Sequence, residues 1–111
     1  MKSFEIYTKA RQALTLSQNM LDMAHQSNWL LFEKTEQQRQ KLLTEIFEHD
    51  DIHDMLFKIT HFLQQILDID NESIQLGQQA RKETLHQLST IRSNVTAVGK
   101  YQQFSAFESN N

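Results

Sequence analysis

His49 and His53 lie four residues apart, with Asp50, Asp51 and Asp54 beside them. No other segment gathers so many residue types able to hold a metal ion. A histidine pair at this spacing chelates when both rings rise from one face of an unbroken helix. Here a helix boundary is expected inside the cluster, so the sequence reads as a solvated acidic helix cap and no metal is expected. His25, His61 and His86 are isolated. The chain has no Cys, and no Ser or Thr stands in a recognisable arrangement with a His, so nucleophilic catalysis has no visible constellation. Gly77 and Gly99 stand alone, which leaves no glycine-rich loop to cradle a phosphate. These residues argue for neither an enzyme nor a cofactor.

The elements that carry them are helical. The 111 residues include no Pro and two Gly, where average usage gives about five and about eight. A chain so poor in turn formers does not suit a sandwich, a barrel or a doubly wound sheet. Hydrophobic residues make up 39%, below the usual ~45–50%, and Gln fills much of the difference. Slender amphipathic helices around a thin core are expected. No apolar run approaches the ~18–20 residues that span a bilayer, so no membrane insertion is expected. Met1-Lys2-Ser3-Phe4-Glu5 lacks the layout of a signal peptide. With no Cys, a reducing cytoplasm is the expected location. The net charge of −3 and the lack of a basic stripe disfavour direct binding to nucleic acid.

The spacing predicts three helices, over about residues 4–26, 29–48 and 51–98. In the first, Tyr7, Ala10, Leu14, Ser17, Leu21 and Ala24 form one stripe, widened by Leu16, Met20 and Met23. Ser27 or Asn28 can cap the second helix, and Asp50 or Asp51 the third. The middle of the second helix, Glu33 to Lys41, is continuously polar but free of breakers. Only Thr35 and the stems of Gln38 and Arg39 can reach a core there. In the third helix Ile59, Phe62, Leu63, Ile66, Asp70, Ser73, Ile74, Gly77, Arg81, Thr84, Leu88, Ile91, Val95 and Val98 hold the helical rhythm. Phe62, Ile69 and Leu76, seven apart, widen its apolar arc on one flank. The fold expected is all-α: an antiparallel three-helix bundle over 1–98 with a long third helix. Residues 99–111 form a tail whose Tyr101, Phe104 and Phe107 line one side of a short C-terminal helix after Gly99. Two short helices cannot cover so long a third one, which leaves apolar surface for a partner, a second copy or the tail.

Trp29, Phe32, Glu36, Arg39 and Leu42 in the second helix, and Ile66 to Ser73, Arg81, Leu85, Leu88 and Val98 to Tyr101 in the third, resemble the FliT family of flagellar export chaperones. The resemblance extends to length and helix order over nearly the whole chain. It implies a cytoplasmic chaperone that binds the C-terminal segment of the filament-cap protein FliD, keeps it unassembled, and passes it to the export ATPase complex of the flagellum. It also implies that the C-terminal helix regulates access, and that some members bind a flagellar transcription activator.

Joined to the residues, these implications place client contact at Phe62, Ile69, Leu76, Leu85, Leu88 and Ile91. Tyr101, Phe104 and Phe107 become a regulatory tail docking near Leu76, Leu85, Leu88 and Ile91. One alternative is a self-associating adaptor, a homodimer joined along Thr84, Leu88, Ile91, Val95 and Val98. Others are a regulator that sequesters the activator, a protein acting directly on DNA, and a metalloenzyme using His49 and His53.

Overall fold

The computed structural model describes the backbone of residues 2–110 and the side chains of residues 4–95. The regular structure among these residues is helical: α1 (Lys2–His25), α2 (Trp29–Phe47) and α3 (Ile52–Asn110). The chain falls into two compact units, Met1–Gly77 and Gln78–Asn111.

In the first unit, the buried line of α1 is Ile6, Ala10, Ala13, Ser17, Met20 and Ala24, at strict four-three spacing. It shares Ala10, Ser17 and Ala24 with the expected stripe but is rotated from it. Leu14 and Leu21 are half-buried at its sides, and Tyr7 is more exposed. Small residues hold the centre because two other helices approach there, and the larger side chains fill the flanks.

α1 stops at a left-handed residue. Ser27 has φ 57°, its N–H donates to the Ala24 carbonyl, and the Asn28 N–H donates to that of Met23. These two bonds satisfy carbonyls that the helix end would otherwise leave free. Asn28 then caps α2, its side chain accepting from the Leu31 N–H at 3.3 Å. Of the two expected caps, Asn28 takes the role, and Ser27 supplies the bend.

The polar middle of α2 is helical, with Thr35 and Arg39 buried. Lys9 meets Glu45 at 3.1 Å, Ser17 meets Arg39 at 2.9 Å, and Met23 meets Thr35 at 3.5 Å. The contacts therefore descend α2 as they climb α1. At one end Ile6, Ala10, Ile46, Met55 and Ile59 form the apolar core, with Leu43, Ile52, Phe62 and Leu63 packed around it. Full burial of each large aliphatic side chain contributes about 2 kcal/mol.

At the other end the Trp29 ring lies beside Gly77. A methyl group on Gly77 would sit 3.8 Å from the ring, an ordinary contact distance. Helical Gly is about 1 kcal/mol less favourable than Ala. Gly77→Ala should therefore stabilise the first unit by about 0.5–1 kcal/mol, read as a higher midpoint in urea. A lower midpoint would mean that Trp29 cannot accept the methyl.

α3 opens at Asp51, whose carbonyl accepts the first helical bond, from the Met55 N–H. It then runs through Gly99 to Asn110. The separate short helix expected after Gly99 is thus not formed. One Gly between good helix formers costs about 1 kcal/mol, and no Pro follows to stop the helix. The side chains of Tyr101, Phe104 and Phe107 lie outside the described residues.

Candidate functional site

Arg39 is the polar hub of the first unit. Its Nη1 donates to the Ser17 hydroxyl of α1 at 2.9 Å and to the Asp70 carboxylate of α3. Ser17 passes the chain on, donating to the Ala13 carbonyl at 2.9 Å. One charged side chain on α2 therefore ties three helices together. The sequence reading brought only the stem of Arg39 to the core. The structure buries the guanidinium as well, because Asp70, at a core position of α3, neutralises it. Among the described residues Arg39 Nε and the buried Ser73 hydroxyl have no hydrogen-bond partner. This hub positions the helices, and its geometry is that of a structural pair.

The His49 cluster is also structural in its contacts. His49 sits in the connection before α3, where its Nδ1 accepts the Asp51 N–H at 3.1 Å. Its Nε2 lies 3.6 Å from Glu5. His53 is exposed on α3, so the helix boundary does fall between the two rings. Among the described residues no three His, Asp or Glu side chains gather as metal ligands. Among them also, no helix is long and apolar enough to cross a membrane.

The apolar surface is divided unequally between the flanks of α3. Advancing 100° per residue, Phe62, Ile69 and Leu76 lie to one side of the buried line Ile59, Ile66 and Ser73. All three are half-buried. Phe62 packs on the core, its ring edge-on to Tyr7 of α1 at 5.2 Å. Leu56, Leu67 and Ile74 lie to the other side and are exposed. Sequence reasoning chose the first flank. Both flanks carry apolar residues at helical intervals, and only the position of α1 decides which is covered.

In the second unit every described side chain from Arg81 to Val95 is exposed. Leu85, Leu88, Ile91 and Val95 are 56%, 52%, 55% and 62% accessible. Their spacing of three, three and four keeps them along one side of the helix. Exposed apolar side chains grouped in this way mark a surface for another apolar face.

The family model for flagellar protein FliT matches residues 7–103. The chain belongs to the FliT family. No curated protein and no solved structure matches it. FliT is a chaperone family, and in this FliT chain most of the α2 residues that carried the resemblance are structural. Trp29 and Phe32 are half-buried and meet edge-on at 5.3 Å, Arg39 is the hub, and Leu42 is half-buried. Glu36 alone of the five is exposed. The FliT match includes Leu85, Leu88, Ile91 and Tyr101, and Phe104 and Phe107 lie past its end.

Proposed function

We propose that this FliT-family chain is a non-enzymatic cytoplasmic export chaperone of the bacterial flagellum. It holds the C-terminal segment of the filament-cap protein FliD, prevents its premature assembly, and delivers it to the export ATPase complex. The observation that carries this reading is the exposed series Leu85, Leu88 and Ile91, extended by Val95, in a chain of this family. An amphipathic client helix laid along such a series buries its own apolar face and loses the surface through which it would self-assemble. Ile69 and Leu76 in the first unit offer a second, half-covered row, with Phe62 the most enclosed of the set.

The tail competes for the same residues. For Tyr101, Phe104 and Phe107 to reach Leu85, Leu88 and Ile91, α3 must open, and Gly99 is where opening costs least helix energy. Client affinity is then reduced by the fraction of chains whose tail is docked. Deleting residues 99–111 should tighten binding of the FliD C-terminal segment several-fold in titration calorimetry. Unchanged or weaker binding would count against the latch.

A second reading is favoured by the same residues. Thr84, Leu88, Ile91 and Val95 have the rhythm of a two-chain seam, and a seam would make the protein a self-associating adaptor. A sedimentation coefficient that rises with concentration, together with no FliD binding, supports that reading over the first. Sequestration of a flagellar transcription activator is the further role that membership of the family suggests.

A further inference from the structure

The first unit carries a groove that the client reading does not use. It has a volume of about 450 Å³ and is lined by Phe4, Tyr7, Thr8, Arg11, Gln12, Thr15 and Leu16 of α1 and by Leu42 of α2. Phe4, Thr8, Arg11 and Thr15 follow i, i+4, i+7, i+11 spacing, which places them along one line of α1. That line is turned well away from the buried line through Ile6, Ala10, Ala13 and Ser17, so packing of the bundle does not require Phe4 to be aromatic. Phe4 is 70% accessible.

The charge of the groove is one-sided. Among the described residues Arg11 is the only charged one lining it, and Arg11 is exposed. Of the charged groups nearest in sequence, Lys9 pairs with Glu45, and Glu5 lies 3.6 Å from the His49 ring. The polar lining, Thr8, Gln12 and Thr15, is neutral. Among its described lining residues the groove therefore offers apolar walls and one cation without a carboxylate.

We propose that this groove docks an amphipathic helix of another protein, one that presents apolar side chains at three-four spacing and a carboxylate at its middle. Phe4 to Thr15 covers about three helical turns, roughly 16 Å, the length over which such a helix sets three successive anchors. The docked side chains displace water from apolar walls, which supplies the affinity. Arg11 faces the carboxylate and supplies the selectivity, because a charge at a partly wet rim discriminates between partners more than it strengthens binding. The occupant is thus distinct in chemistry from one held by Leu85, Leu88 and Ile91, where the apolar side chains dominate.

The test uses the full chain and two fluorescent helical peptides of about 18 residues, five turns each. Both carry Leu at three-four spacing. One carries two Glu at its middle and the other two Lys. Anisotropy titrations should show the Glu peptide binding about tenfold more tightly than the Lys peptide. Arg11→Glu should reverse that order, and Phe4→Ala with Leu16→Ala should weaken both peptides by a similar factor while circular dichroism retains the helical signal. The Leu88→Asp with Ile91→Asp variant should keep the preference for the Glu peptide over the Lys peptide, and Arg11→Glu should leave binding of the FliD segment unchanged. These two controls separate this site from the client surface. If Arg11→Glu leaves the order of the peptides intact, or if the second-unit variant alone abolishes binding, the groove is not the docking site.

Discussion

Asp70→Ala should lower the stability of the first unit by about 3 kcal/mol, the largest stability loss expected from any single exposed or half-exposed polar side chain in this chain. The reason lies in what remains. Arg39 is buried, its Nε already lacks a partner, and without Asp70 its guanidinium keeps only the Ser17 hydroxyl. The reverse truncation should cost less. Asp70 retains 26% of its side-chain surface against 10% for Arg39, so a carboxylate orphaned by Arg39→Met can recruit water. Replacing both, Arg39→Met with Asp70→Leu, should recover most of the loss, since no buried charge is then left unpaired. Ser17 still has the Ala13 carbonyl to donate to. Urea unfolding of the four proteins in a double-mutant cycle measures this directly. Equal midpoints for the two single variants, or an additive double variant, would show that water already solvates the pair.

The legible part of this molecule follows from periodicity and turn chemistry. Apolar and small residues at three-four spacing placed all three helices, and short polar side chains marked the connections at Ser27-Asn28 and Asp50-Asp51. Thr35 and Arg39 were readable as inward positions because they continue the interval from Trp29 and Phe32 to Leu42 and Ile46. The Arg39–Asp70 pair was half visible, since Asp70 stands on an otherwise apolar line. Pairing residues thirty-one apart needs the relative register of α2 and α3, which no local pattern contains. The same lack of register hid which flank of α3 is covered, since Tyr7 had to be placed before Phe62 could be seen to be shielded. The groove on α1 was missed for a different reason. A line such as Phe4, Thr8, Arg11 and Thr15 mixes an aromatic, hydroxyls and a cation, and a hydrophobic pattern search passes over it as solvated surface. Gly99 looked like a helix stop because Gly is common there, yet Gly also tolerates a helix interior when nothing nearby ends it.

Leu88→Asp with Ile91→Asp should abolish measurable binding of the FliD C-terminal segment, a loss of about a hundredfold or more, while leaving the urea midpoint of the first unit unchanged. Both residues belong to the second unit and are more than half accessible, so they contribute little to the folded core. An apolar client face brought against two new carboxylates must instead desolvate them without a partner, which costs several kcal/mol, and about 2.7 kcal/mol already corresponds to a hundredfold in affinity. The choice of position matters to the reading. Phe62→Ala would cost about 3 kcal/mol of stability, because the ring packs on the core and on Tyr7, and weaker binding by that variant would not distinguish a lost contact from a loosened bundle. Ile69→Ala with Leu76→Ala is intermediate, both side chains being half-buried. Titration calorimetry with the two aspartates therefore isolates the surface from the scaffold. Retained binding in that variant, together with loss in a Leu56→Asp, Leu67→Asp, Ile74→Asp variant, would move the client from the second unit to the exposed flank of the first, and the assignment of Leu85, Leu88 and Ile91 would be wrong.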